Sequence, residues 1–263
     1  MSNDIYHVDA FTDRPFSGNP AAVVPLTDFA DDQRLQSIAA EMNLAETAFV
    51  VSRGGHFDLR WFSPTLEVDL CGHATLAAAH VLWETKRLLR TADAIFQTRS
   101  GRLVARVAQD GIELIFPSLP LREVVAPAGL IDSLGINPIY VGSSKFDYLV
   151  QVATAAEVRN TSVDFAKLAL IETRGVIVTA VSDNPDYDFV SRFFAPAAGI
   201  DEDPATGSSH CVLGPFWQTK LGRSSLRAYQ ASARGGKLTL RVEGDQTHLF
   251  GRAITIIRGR LLV

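Results

Sequence analysis

Three residues able to move or hold a proton stand where the chain passes from irregular to regular structure. Glu46 lies where Asn43-Leu-Ala-Glu46 runs into the β-branched and aromatic stretch Thr47-Ala-Phe-Val-Val51. His73 follows Cys71-Gly72 at the start of an Ala-rich apolar helix, and Asp203 precedes Pro204 on the approach to a second helix that opens with Gly207-Ser208. A carboxylate at the lip of a buried strand can act as a general acid or base, and partial desolvation would suit it to both roles. Each helix start offers unpaired N–H groups and about half a positive charge, enough to bind a carboxylate without a lysine or a metal. Plainer readings use the same residues: the glycines as tight turns, Asp203 as a helix cap and His73 as a hydrogen-bond partner of a neighbouring loop.

Two of these places are copies of each other. Arg60-Trp-Phe-Ser-Pro64 with Val68-Asp69 returns as Arg192-Phe-Phe-Ala-Pro196 with Ile200-Asp201, each residue 132 positions on. Phe96-Gln97 and Leu103-Val-Ala-Arg-Val107 find counterparts in Tyr229-Gln230 and Leu238-Thr-Leu-Arg-Val242, with a small insertion near Gly235-Gly236. An internal duplication predicts two similar lobes, residues 1–120 and 121–263, related by a pseudo-twofold axis, with the last strand free to pack on the first lobe. The paired helix starts would then face one cleft. Asp203 falls where the first copy has Cys71, so the halves have diverged at matched positions, as an asymmetric ligand would require.

The spacing of apolar residues fills in the lobes. Leu35, Ile38, Ala39 and Met42 lie on one face of a helix, and alternation predicts strands at 5–11, 47–51 and 56–62. A helix at 72–88 is apolar on nearly all sides in its first half, which suggests that sheet wraps it. Strands at 94–99, 103–108 and 112–116 follow, joined in part by a Gln109-Asp110-Gly111 turn. The second half reads as a short helix at 130–134, a strand at 146–152, a helix around 164–171, strands at 176–181 and 187–194, a helix at 207–220, and strands at 226–231, 238–242 and 249–257 before a last short strand. No glycine-rich phosphate loop follows a strand, so dinucleotide-binding and P-loop folds are excluded. The class expected is mixed α/β (α+β), each lobe a sheet rolled around a central helix.

With 263 residues and 47% hydrophobic content the chain can bury real cores. A net charge of −4 without basic blocks argues against a nucleic-acid partner. The first ten residues lack a signal-peptide run and the Ala-rich helix is too short to span a bilayer, so a cytoplasmic location with no membrane partner is expected. Cys71 and Cys211 are too few for a disulfide framework and lack metal-site spacing, and read as small buried residues.

Five motifs carry a resemblance over nearly the whole length: Asp9-Ala-Phe-Thr12, Phe16-Ser-Gly-Asn-Pro20, Leu44-Ala-Glu-Thr-Ala-Phe49, Cys71-Gly-His-Ala-Thr75 and Asp201-Glu-Asp-Pro-Ala-Thr-Gly-Ser208. In their order they resemble the PhzF-like phenazine-biosynthesis family, which shares the diaminopimelate epimerase fold. The resemblance implies a cofactor-free, metal-free isomerase with its active site between two lobes, often a homodimer, acting on a small carboxylate such as a dihydro-hydroxyanthranilate. It makes Glu46 the proton shuttle, His73 and Asp203 assisting acid/base and polarising groups, and Gly72, Gly207, Ser208 and Asn19 substrate-binding positions. Two other readings remain open: an epimerase using Cys71 and Asp203 on opposite faces of one carbon, and a small-molecule binding or interaction protein without turnover.

Overall fold

The computed structural model describes residues 3–109 and 111–262; Asp110 of the expected turn lies outside them. The chain divides into two compact units, the first built from the described residues of 1–116 and 248–263 and the second from 117–247. The first boundary therefore falls a few residues before the expected one, and the C-terminal segment returns to the first unit. It does so as the strand Ala253–Leu261, which pairs antiparallel along the whole of Asn3–Ala10.

Each unit carries a mixed set of strands, and the two sets repeat one pairing pattern. In the first, Asn19–Leu26 runs parallel to Glu46–Ser52, which is antiparallel to Phe57–Phe62; that strand is parallel to Ala94–Thr98, itself antiparallel to Gly101–Ala108. In the second, Asp147–Gln151, Gly175–Val181, Phe189–Ala195, Ser225–Gln230 and Gly236–Glu243 pair in the same order with the same directions. The register is kept as well: Phe57 opposes Phe96 and Phe189 opposes Ala228, so both partners are displaced by 132 residues. One ion pair is duplicated with the strand it braces. The Arg60 guanidinium donates to both carboxylate oxygens of Glu67 at 2.7 and 2.6 Å, and Arg192 does the same to Glu202 at 2.7 and 2.8 Å. Each guanidinium also lies over the phenylalanine two residues on, Phe62 and Phe194.

The Ala-rich helix spans Gly72–Glu84, and every residue from His73 to Ala79 is buried. It packs on strands Asn3–Ala10, Asn19–Leu26, Glu46–Ser52, Gly101–Ala108 and Ala253–Leu261, so sheet meets it on several sides. Small side chains are what allow that approach: Ala74, Ala77, Ala78 and Ala79 are each 0% exposed. The counterpart Gly207–Leu221 is buried through most of its first half and packs on Ser225–Gln230 and Gly236–Glu243.

Several expectations need correction. Asn19–Leu26 and Tyr140–Ser143 are strands that alternation did not reveal. The first is buried on both faces, so it lacks a polar alternate row. The helix expected at 164–171 shrinks to Phe165–Leu168, and a separate helix, Ala155–Asn160, forms ahead of it behind a Thr154/Glu157 capping box. The closing strand is interrupted at Arg252 into Gln246–Gly251 and Ala253–Leu261. Among the described residues no helix is long and apolar enough to cross a membrane.

Candidate active site

Caps separate the two central helices from the outer ones. Asp31, Thr154 and Asp164 each accept a backbone N–H at the start of an outer helix. Cys71 and Thr206, which precede the central helices, make no side-chain cap bond. The first-turn N–H groups of Gly72–Glu84 and Gly207–Leu221 are thus not taken up by a capping side chain, which is the condition for binding an external anion.

In the first unit, local structure delivers four of the expected site residues to one spot. Asn19 and Glu46 begin neighbouring parallel strands, while Gly72 and His73 are the first two residues of the helix packed against them. The approach to Asn19 is strained: Phe11 and Phe16 take φ of 59° and 64°, and Gly18 takes 69°. A side chain at Gly18 would place its Cβ 2.1 Å from the Ala10 carbonyl oxygen, so only glycine fits there. Asp9 holds this loop by accepting the Phe16 N–H at 2.8 Å. That gives the Asp9-Ala-Phe-Thr12 motif a structural task.

His73 is the hub. Its Nε2 lies 3.1 Å from Glu46 Oε2, with side-chain exposures of 5% and 12%. Neither atom has a well-aligned hydrogen bond. Nδ1 faces the Asn19 carboxamide at 3.0 Å and the Cys71 sulfur at 3.5 Å. Burial by itself disfavours an imidazolium at His73, but the Cys71 and Glu46 charges and hydrogen bonds outweigh it and raise its pKa well above the ordinary value. Burial, then the Glu46 carboxylate, pushes the Cys71 thiol up to about 11. Cys71 is therefore neutral at pH 7, and the charge that steadies protonated His73 there is the Glu46 carboxylate. The pair can exchange a proton internally, and a carboxamide, having a donor and an acceptor end, can face either form of Nδ1.

Asp203, Gly207 and Ser208 belong to the second unit, and their surroundings differ. Asp203 follows the strand Ile200–Glu202 and is buried; its Oδ2 accepts the Thr206 hydroxyl at 2.5 Å. Gln230 locks this turn: its Oε1 accepts the Thr206 N–H at 2.8 Å, and its Nε2 donates to the Asp203 carbonyl at 2.7 Å. Ser208 is half-buried in the helix first turn. One turn into the helix, His210 Nδ1 lies 2.7 Å from the Thr206 carbonyl, and burial lowers the pKa of this histidine to about 4. Sequence reasoning missed Thr206, Gln230 and His210 as supports of this turn. The one available signal was the repeat, which aligned Gln230 with Gln97; the strand register instead matches Gln97 to Tyr229, 132 residues on, so Gln230 stands one position further along the strand and is 0% exposed where Gln97 is exposed.

The PhzC-PhzF family, described as phenazine biosynthesis-like protein, matches residues 8–259. The chain belongs to that family. A relative named as an uncharacterised isomerase from Halalkalibacterium halodurans is 49% identical over 264 residues, covering 100% of both chains. The crystal structure of a PhzF-family phenazine biosynthesis protein from Enterococcus faecalis superimposes with a TM-score of 0.95 at 37% identity, again over 100% of both chains. The fold extends further: a hydroxyproline epimerase from Agrobacterium vitis aligns with 99% of this chain and 92% of its own, with a TM-score of 0.63 at 10% identity. The mixed α/β, epimerase-like class expected from the sequence is the class of this protein.

Proposed function

We propose that this family member is a cofactor-independent isomerase of a small carboxylate, in which Glu46 takes a proton from one carbon and returns it to another. The observation that carries the reading is the Glu46–His73 pair, 3.1 Å apart and buried beside a helix start that no side chain caps. The first-turn N–H groups at Gly72 and His73 hold the substrate carboxylate and offset charge that develops beside it during proton removal. His73 keeps the proton load of Glu46 adjustable: it donates to the carboxylate before abstraction and shares the proton afterwards. Asn19 orients the imidazole. Asp203, Gly207 and Ser208 enter through the family resemblance, as polarising and binding groups. The alternative that pairs Cys71 with Asp203 for epimerisation is disfavoured, because a thiol pushed up to about 11 carries little thiolate at neutral pH. A dihydro-hydroxyanthranilate is the substrate class implied by the family, and the isomerase names of relatives are consistent with it.

The test is a panel of small unsaturated and hydroxylated carboxylic acids incubated with the protein in D2O and followed by NMR. The expected result is deuterium entering one substrate together with a shifted double bond, abolished by Glu46→Gln. Label returning to the same carbon with inverted configuration would establish epimerisation instead. Tight binding of a panel member without exchange would establish a binding protein.

A further inference from the structure

The cysteine spacing gives no hint of a metal site, yet folding gathers a thiol, an imidazole and a carboxylate in the first unit. The ligand atoms of Glu46, Cys71 and His73 all lie within 4.8 Å of one another. We propose that these three residues form a binding site for a zinc-class divalent cation, which on binding occupies the groups that would otherwise move protons.

The donor set fits that class of ion. Thiolate with imidazole selects zinc and its neighbours over magnesium or calcium, and three protein ligands leave a fourth position for water. Metal–ligand lengths of about 2.0–2.3 Å put the ligand atoms of a tetrahedral centre about 3.3–3.7 Å apart. The Nε2–Oε2 separation of 3.1 Å is already close to this, and the sulfur, with all three ligand atoms within 4.8 Å of one another, has to close the remaining gap on binding. The thiol sits nearer Nδ1 and the carboxylate nearer Nε2, so a cation on Nε2 draws the sulfur in across the edge of the ring. Two independent features favour that nitrogen. Nε2 of His73 and Oε2 of Glu46 are both buried without a well-aligned hydrogen bond, so both are open to a cation that displaces the Nε2 proton. The other nitrogen faces the Asn19 amide nitrogen at 3.0 Å; turned end for end, that carboxamide presents its oxygen to Nδ1–H and orients the ring as second-layer groups do at zinc sites. On ligation the thiol proton and the Nε2 proton leave to solvent, Nδ1 retaining the one shared with Asn19, and no redox step is involved.

The site is independent of the isomerase reading, since binding requires only the geometry. Its test uses no substrate. Metal-free, reduced protein is titrated with Co2+ at neutral pH and read by absorption, where thiolate ligation gives a near-ultraviolet charge-transfer band. One equivalent should bind with that band, and Zn2+ should displace it. Cys211→Ser should keep the band, because Cys211 lies in the second unit with its sulfur bonded to the Gly207 carbonyl. Cys71→Ser should lose it, Glu46→Gln should bind at least tenfold more weakly, and Asn19→Ala should weaken binding by about tenfold to a hundredfold. Circular dichroism confirms that each variant is folded. Absence of a thiolate band in the wild type, or its survival in Cys71→Ser, would overturn the assignment; either result leaves the proton-transfer proposal standing.

Discussion

The two central helices begin on equivalent scaffolds and end with opposite electrostatics. At the Gly72 start, a carboxylate and an imidazole are buried together with imperfect alignment, and His73 is held ready for a proton. At the Gly207 start, Asp203 is tied to the Thr206 hydroxyl, Gln230 closes the turn, and the nearby His210 is kept neutral by burial. Duplication supplied the same pairing order, register and Arg–Glu brace to both. Divergence then left one helix start with an incompletely aligned acid–base pair and the other with a satisfied network. A buried polar network that is satisfied is rigid, whereas one left partly aligned can still gain by taking up a substrate or an ion.

The sharpest way to break this contrast is at the proton mover. Glu46→Gln should slow deuterium exchange on any accepted substrate by about 10²–10⁴-fold, the usual worth of a general acid or base. Should Asp203→Asn abolish exchange and Glu46→Gln spare it, the assignments of the two helix starts would be reversed. Next in size is the pH response of the two histidines. The folded pKa of His210 is depressed to about 4, so the stability it confers is present above pH 6.5 and lost as pH falls toward 4, on the order of 3 kcal/mol in all. His73 has the opposite sign: its raised pKa gives stability that is full below about pH 6.5 and lost as pH climbs through the folded value. NMR titration of the two rings, with denaturant unfolding from pH 4 to 9, should separate them, and Glu46→Gln should lower the His73 value alone.

Smaller effects sharpen the comparison further. Gln230→Leu strands the Thr206 N–H and the Asp203 carbonyl, and should cost about 1–3 kcal/mol in urea unfolding. The same change at exposed Gln97 should stay within about 0.5 kcal/mol. Smallest is the duplicated brace. Glu67 is also paired with Arg99 at 2.6 Å and Arg60 reaches the exposed Asp32 carboxylate beyond Glu67, at 2.8 Å, while Arg192 additionally donates to the Arg159 and Thr161 carbonyls. Arg192→Met should therefore destabilise more than Arg60→Met, by about 1 kcal/mol.

The sequence by itself determined the scaffold. A 132-residue repeat, strand alternation and an Ala-rich apolar helix are local or periodic signals, and they yielded the duplication, the class, the place of Glu46 and His73 at element starts and that of Asp203 on the approach to a helix. It could not determine which strands are buried on both faces, as Asn19–Leu26 is, since such strands carry no alternation. Nor could it assign partners. That Cys71 meets His73 two residues along, that Asn19 meets the same ring from 54 residues away, and that Gln230 but not Gln97 turns inward all depend on distances across the folded sheet. Proton affinity follows from those distances and from the exclusion of water, which only the tertiary structure decides.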